Sequence, residues 1–299
     1  MERRQLKYFL AVVEHGGFTN AARVLHVAQP SLSHAIAALE AEVGGSLFHR
    51  LPHGAVLTTA GEALVEPARQ IARDLATATA SVQEVLGLSG GRLDIVAQTT
   101  LAVDPLAVML GQFLSVHPKI VVRVTDPERG TDVDNIVRTG QSELGLVNAS
   151  VPMRELAGID LAEQELRVVL PPGYVRREQG AVSAEELAAL RFVATPEGTE
   201  MRDVLERALR GLEIEPDIAV ETAHRAMIVP LVLAGAGASL LPRSMADDAV
   251  GKGAEVRPAE PPLRYQGRLV WRSGPLTPAA DSFVEMARAH YTDTERTDP

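Results

Sequence analysis

Cysteine is absent from the 299 residues, which removes disulfides, thiolate zinc sites, iron–sulfur clusters and cysteine redox sensing in one step. No stretch reads as the uninterrupted apolar run that crosses a bilayer. The opening residues, MERRQLKYFLAVVEHGG, carry too short an apolar run for a secretory signal, interrupted by Glu14 and with no small-residue cleavage site. The expected compartment is therefore the cytoplasm, with no membrane partner. Positive charge is also scarce: 29 Lys and Arg stand against 39 Asp and Glu, a net charge of -10. Phosphate neutralisation by Lys and Arg supplies most non-specific affinity for nucleic acid, so a chain that coats DNA through bulk charge is excluded. The deficit is uneven, however. Residues 1–58 hold five cations and four acids, about +1, leaving about -11 for the rest.

What is present is the composition of an ordinary folded protein, 46% hydrophobic and 23% charged with a mean hydropathy of +0.04. Its length favours two or more domains over a single core. Within the near-neutral N-terminal segment, VAQPSLSHAIAALE (27–40) places Leu32, Ile36 and Leu39 at helical spacing while Ser31, Ser33 and His34 fall outside that row. Pro30 suits the first turn of a helix that starts near Gln29 and ends by Gly44-Gly45. Upstream, FTNAARVLHV offers Thr19 as an N-cap and Ala21, Ala22 and Leu25 at helical spacing. Two short helices joined this tightly fit either a DNA-reading helix-turn-helix or a plain helical hairpin. Five of the eight histidines lie here, at spacings that match no metal site.

Residues 4–61 carry a more specific pattern. The opening F-x-x-V-x-E-x-G-x-F, the core A-A-x-x-L-x-V-x-Q-P-x-L-S, the segment L-E-x-x-x-G-x-x-L-F-x-R and the closing L-T-x-A-G run in fixed register. This closely resembles the winged helix-turn-helix of LysR-type transcriptional regulators. The resemblance implies that Gln29, Pro30, Ser31, Ser33 and His34 open a recognition helix facing base edges and phosphates. It implies that Thr19 contacts phosphate, and that Arg50 and His53 lie on a backbone-contacting wing. Two positions depart from the family: His34 stands where arginine is usual, and the wing LPHGAV is less basic than most.

A long helix follows. Thr59 and Glu62 read as a capping box, and Leu64, Ala68, Ile71, Leu75, Ala78, Val82 and Val85 form a heptad seam over three repeats. The seam suits either a partner helix or a second domain of the same chain; the family resemblance favours pairing of two subunits. Pro67 removes one intrahelical hydrogen bond and is expected to bend the helix near its first third.

From Gly91 the pattern alternates strand and helix. Strands are expected at 92–99, 119–126, 143–148, 165–171, 191–195, 216–221, 238–242 and 267–272. Helices are expected at 104–118 (capped by Asp104, with Pro105 first), 132–139, 182–190, 199–212, 225–234 and 277–290. So many units suit two α/β lobes joined by crossing strands. Phrases such as FLSVHP, RTGQSELGLV, VLAGAGASLLP and SFVEMA are similar, in the same order, to the effector-binding domain of the LysR family, a two-lobed periplasmic-binding-protein fold.

The expected organisation is thus an all-α winged helix-turn-helix head over 1–58 (motif about 18–37), a linker and dimerisation helix over 59–89, and an α/β effector domain over 90–299. Lobe one covers about 91–162 and 266–299, and lobe two about 163–265. The cleft is expected to hold a small organic acid at Thr99, Thr100, Leu101, Thr131, Asn148, Ser150, Thr195, Thr199, Thr222 and Arg225, through hydroxyls, helix N-termini and one guanidinium. By resemblance the partners are an interrupted inverted-repeat DNA operator, RNA polymerase and further copies of the chain, as a dimer or a dimer of dimers. No cofactor is expected apart from the effector.

Two rivals are weighed against this reading. A secreted ligand-binding protein would share the C-terminal two-thirds but not residues 1–86. An enzyme finds little support: GAGAS (235–239) lacks the rest of a dinucleotide fingerprint, and Ser239, His224 and Asp247 sit in no nucleophile elbow. His224 reads as a helix-start or cleft residue, EMRDVLERALR (200–210) as a solvated helix face and Trp271 as strand packing.

The histidines at the expected DNA face predict pH-sensitive operator binding. Affinity at constant ionic strength falls between about pH 6 and 8, where unperturbed histidine loses its charge. His34→Arg raises affinity and flattens the profile; a flat profile for the native chain, measured by fluorescence anisotropy, refutes the idea.

Overall fold

The computed structural model describes residues 1–51, 54–85, 91–127, 132–153, 155–174 and 180–294. By spatial proximity it divides into an N-terminal unit, residues 1–88 with 139–141, and a C-terminal unit made of the remainder.

The N-terminal unit begins with α1 (Arg3–Glu14), whose Leu6, Phe9 and Val12 recur on one face and are buried. Next come α2 (Phe18–Val24) and α3 (Gln29–Val43). Gly17 precedes the first turn of α2, so Thr19 is not the N-cap expected from the sequence: it is the second helical residue and points to solvent. Gly44 closes α3 in the left-handed conformation (φ 80°), its N–H donating to the Glu40 carbonyl, a C-cap for which glycine carries no Cβ penalty. The wing is the hairpin β1 (Phe48–Leu51) and β2 (Gly54–Leu57), with Arg50 opposite Ala55. Phe48 locks it to the helices, its ring 5.4 Å from Phe9 and 5.5 Å from Phe18.

The long helix α4 runs Thr59–Val85 with Pro67 inside it. Its cap is Thr58, one residue before the expected Thr59: the Thr58 hydroxyl accepts from Gly61 N–H at 3.0 Å and donates to the Ser46 carbonyl at 2.6 Å. The seam is also corrected. Ala68 is fully buried in the unit's own core, and Leu64 and Ile71 pack against that core, so the first third of the stripe serves intrachain packing. Leu75, Ala78 and Val82 remain exposed; the side chain of Val85 lies outside the described residues.

The C-terminal unit is built on β3 (Gly91–Ala97), β4 (Ile120–Thr125), β5 (Leu144–Asn148) and β6 (Leu156–Leu170), with β7 (Val182–Ser183), β8 (Arg191–Ala194) and β9 (Asp217–Glu221). Then come β10 (Ser239–Pro242), β11 (Glu255–Glu260) and β12 (Arg264–Arg272). The helices are α5 (Thr99–Leu101), α6 (Ala107–Val116), α7 (Asp132–Arg138), α8 (Ala184–Ala188), α9 (Glu200–Arg210), α10 (Ile228–Leu233), α11 (Arg243–Val250) and α12 (Pro278–Thr294). The main sheet runs β4-β3-β5-β12-β6-β11-β7, with β10 also on β6; β8 and β9 pair separately. Strand β6 belongs to both lobes. Residues 156–165 pair with β12, and 166–170 pair with β10 and β11.

Several elements depart from the expectations. The first half of β6 carries Gly158, Asp160 and Glu163, which hides its strand character. Helix α11 buries only the small residues Ala246 and Ala249, and β11 contains Pro258, a residue that argues against a strand. The face 200–210 is not solvated: Met201, Val204, Leu205 and Leu209 enter the core, and Glu200 and Arg202 are buried as well. The stretch Thr99–Val116 does reach the length and hydropathy of a membrane span, contrary to the sequence reading. Its path breaks at Asp104 (φ -150°, ψ 122°) and its Leu101, Leu106, Met109 and Phe113 are core residues. Asp104 and Pro105 thus start a helix as expected.

A Cβ on Gly61 would lie 2.1 Å from the Leu47 carbonyl oxygen. Gly61→Ala is therefore expected to cost the N-terminal unit about 3 kcal/mol through overpacking of backbone against backbone. Thermal unfolding of the full chain checks this; an unchanged midpoint shows that α4 can slide away from β1 at no cost.

Candidate functional sites

On the N-terminal unit, the buried row Leu32, Ile36 and Leu39 fixes the rotation of α3. The opposite side then presents Gln29, Pro30, Ser31 and His34 to solvent, with Ser33 half-buried beside them. Gln29 Nε2 donates to Ser33 Oγ at 2.8 Å, so two of the expected base-reading side chains already hold each other in place and leave the Gln29 amide oxygen free to accept. Thr19 is exposed on the neighbouring helix. Arg50 sits on β1, but its side chain and all of His53 lie outside the described residues. Glu40, which the sequence reading passed over, is the residue that ties helix to wing: its Oε1 accepts the Leu47 N–H at 2.8 Å and the Phe48 N–H at 3.4 Å. The L-E-x-x-x-G-x-x-L-F spacing contains this contact, though nothing in the pattern states that the carboxylate caps the strand.

In the C-terminal unit, a cavity of about 480 Å³ opens where the end of β5, the crossing strands and α9 meet. Of the ten expected effector residues, Asn148 and Ser150 line it, together with Glu163, Arg207, Arg264, Gln266 and Arg268. Asn148 Oδ1 accepts from both the N–H and the hydroxyl of Ser150, at 3.0 and 2.7 Å. The buried Gln98 side chain accepts the Asn148 N–H at 2.6 Å and ties the end of β5 to the end of β3. Arg264 pairs with Glu163 at 3.3 Å, and Arg268 with Asp160 at 2.5 Å, which raises the Arg268 pKa further. Arg207 has no ion pair among the described residues, and its charge acts on the buried carboxyl of Glu200.

The other expected residues gather elsewhere. Thr99, opening α5, donates its hydroxyl to Asp126, and Arg225 forms an ion pair with the same carboxylate. Thr195 and Thr199 hydrogen-bond to each other at 2.6 Å, Thr199 also donating to the Pro196 carbonyl; their hydroxyls brace the TPEGT loop. Thr222 accepts the His224 N–H at 3.1 Å. Leu101 is fully buried in the hydrophobic core. Thr131 lies outside the described residues. Arg202 was missed: buried on α9, it pairs with Glu206, Glu221 and Glu197 at 2.7, 3.3 and 3.7 Å, joining helix, strand and TPEGT loop. Ser239, one of the residues of the hydrolase rival, is buried and donates to the Val193 carbonyl at 3.2 Å.

Between the lobes, Thr100 Oγ1 donates to Glu200 Oε1 at 2.7 Å. Burial drives the Glu200 pKa up, while Thr100, Arg207 and Arg225 pull it down less strongly; its second oxygen has no hydrogen-bond partner among the described residues. Tyr265, buried beside it with its hydroxyl donating to Gln164 Oε1, is held far above its ordinary value by burial and by the Glu200 charge. Burial likewise raises Glu143, whose carboxylate accepts the Thr277 N–H and hydroxyl at 2.7 and 2.8 Å and so anchors the start of α12.

The comparisons agree with this architecture. Residues 3–62 match the bacterial regulatory helix-turn-helix protein, lysR family, and residues 86–292 match the LysR substrate binding domain. An HTH-type transcriptional regulator of Mycobacterium tuberculosis is 31% identical over 292 residues, covering 91% of this chain and 90% of the relative. The RuBisCO operon transcriptional regulator of Allochromatium vinosum is 31% identical over 300 residues, covering 95% and 94%. Among solved structures, full-length CbnR complexed with its target DNA superimposes with a TM-score of 0.67 at 24% identity, over 97% of this chain and 99% of that one.

Raised carboxyl pKa values give the stability a direction in pH. Glu143 and Glu200 bind protons more tightly folded than unfolded. Their contribution is full below the unfolded value of about 4.3 and is lost as pH rises through the folded values. The melting temperature of the full chain should therefore fall less steeply with rising pH in Glu143→Gln, Glu200→Gln than in the native chain; identical slopes by calorimetry reject this origin.

Proposed function

The chain belongs to the LysR family of transcriptional regulators, and from that premise we propose that it reads an interrupted inverted-repeat operator as a homodimer and changes its grip when a small organic acid enters the interlobe cleft. That it is a DNA-binding transcriptional regulator with an effector-binding domain, and not an enzyme, follows from the family. The carrying observation for the DNA reader is α3: one face filled by Leu32, Ile36 and Leu39, the other presenting Gln29, Ser31, Ser33 and His34 with the Gln29–Ser33 bond already made. A helix of that design reads base edges by hydrogen bonding and leaves phosphate charge to residues such as Arg50.

Dimerisation is supported by Leu75, Ala78 and Val82, apolar or small residues left exposed at heptad spacing on α4. Two weakly basic heads on one dimer gain effective concentration on DNA that neither has alone. An anionic effector is supported by Arg207 in the cavity wall, which makes no ion pair among the described residues. In this proposal the protein works in the cytoplasm, assembles further into a dimer of dimers, and meets RNA polymerase at the promoter. Effector binding shifts the population between two lobe arrangements, and with it the placement of the paired heads.

The test is selection of genomic fragments by the purified full-length chain, with Ser33→Ala, His34→Ala in parallel. The native chain should enrich an interrupted inverted repeat, and the double variant should lose tenfold or more in affinity, since each base contact contributes about 1–3 kcal/mol. Enrichment of single half-sites overturns the dimeric reader, and equal enrichment by both proteins overturns the assignment of α3.

A further inference from the structure

Three segments distant in sequence converge on one carboxylate. Asp126 follows the end of β4 in lobe one, Thr99 opens α5 in the same lobe, and Arg225 opens the turn leading into α10 in lobe two. The Thr99 hydroxyl lies 3.3 and 3.4 Å from the two oxygens of Asp126, and an Arg225 Nη donates to one of them. This is a donor set for an anion, one hydroxyl and one guanidinium, the guanidinium also lying within electrostatic reach of the buried Glu200. Two of the three donors and acceptors, Thr99 and Arg225, are residues the sequence assigns to an effector carboxylate. In the structure that carboxylate is supplied by the chain itself.

The exposure of the pair sets how firmly it holds. The Asp126 side chain is 48% exposed and that of Arg225 is 31% exposed, so the ion pair is screened by water and contributes little to stability. Asp126 can return to solvent at small cost when another carboxylate takes its place. Net contact between the lobes then changes in kind: a covalently attached acid of lobe one is exchanged for a free one.

We propose that Asp126 is an internal competitor for the effector, occupying Thr99 and Arg225 in the unliganded chain so that a carboxylate binds by displacing it. The proposal rests on the reading of the interlobe cleft as an organic-acid site, and places an acid's carboxylate at Thr99 and Arg225, apart from the cavity lined by Asn148, Ser150 and Arg207. A neutral ligand, even one of the right shape, cannot satisfy Arg225 once Asp126 has left, whereas a carboxylate can. Asp126 thereby sets a threshold concentration and rejects uncharged analogues in one step. The interlobe bond between Thr100 and Glu200, fully buried, is untouched by the exchange and keeps the lobes in register while the rim contact is replaced.

The experiment titrates the full-length chain with acetate, benzoate, succinate and citrate at constant ionic strength, by calorimetry and thermal shift. The native protein, Asp126→Asn, Arg225→Gln and the double variant are compared. Asparagine keeps the shape and the Thr99 hydrogen bond but removes the competing charge. The expected result is at least tenfold tighter binding of one or more acids to Asp126→Asn, with the gain abolished in the double variant. Equal affinity of the native chain and Asp126→Asn for an acid that does bind overturns the competitor while leaving the acid-binding cleft intact. Absence of binding to every variant overturns both.

Discussion

One strand holds the C-terminal unit together. Fifteen residues of β6 extend for roughly 50 Å, and hydrogen-bond to β12 along the first two-thirds and to β10 and β11 along the last third. Neither lobe can complete its sheet without it. The pairing with β12 is irregular at one place only among the described residues: Gln266 faces Glu163 and Arg268 faces Asp160, so β6 carries one residue more than β12 between those pairs. Such a bulge bends the strand and re-aims its side chains. Gln266 and Arg268, on either side of it, both face the cavity. The polar wall of the cleft is thus a product of how two lobes share a strand.

Around that strand the protein places its charges economically. The chain as a whole is acidic, yet the cavity wall brings three arginines together with a single lining acid, Glu163. Acids just outside the wall set the orientation of those cations, as Asp160 does for Arg268. Arg202, with three glutamates around it, performs the same service for the TPEGT loop. Buried carboxyls carry the opposite cost: Glu200 and Glu143 lose hydration, and hydrogen bonds from threonine recover part of it.

In the N-terminal unit the governing economy is different. A head with about one net positive charge has to bind a polyanion, so its design relies on placed donors and on avidity rather than on field strength. The core under α3 is small and aromatic, with Phe48 of the wing wedged between Phe9 and Phe18. Glu40 spends its carboxylate on two strand N–H groups, where it rigidifies the wing and is kept from repelling phosphate. The lower part of α4 is drawn into the same core through Ala68, which explains why its apolar stripe begins before any partner helix is needed.

Local chemistry was legible in the sequence where it is decided locally. The span of α3, the position of Pro30 in its first turn, the stop at Gly44 and the alternation of strands and helices after Gly91 all follow from period, capping and turn residues. Such signals miss by one position when two hydroxyls compete, as with Thr58 and Thr59. They fail where small or charged residues hide an element, as in the first half of β6, in α11 and in β11 with Pro258. By itself the sequence determined most of the alternation of strands and helices and the buried row of the reading helix, because each depends on neighbours within a few turns of chain. Only the tertiary structure decided that Ala68 and Leu101 are core, that Glu200 meets Thr100, and that Asp126 already fills the grasp of Thr99 and Arg225. Those contacts join residues up to a hundred positions apart, and no local periodicity encodes which distant carboxylate a folded sheet will deliver.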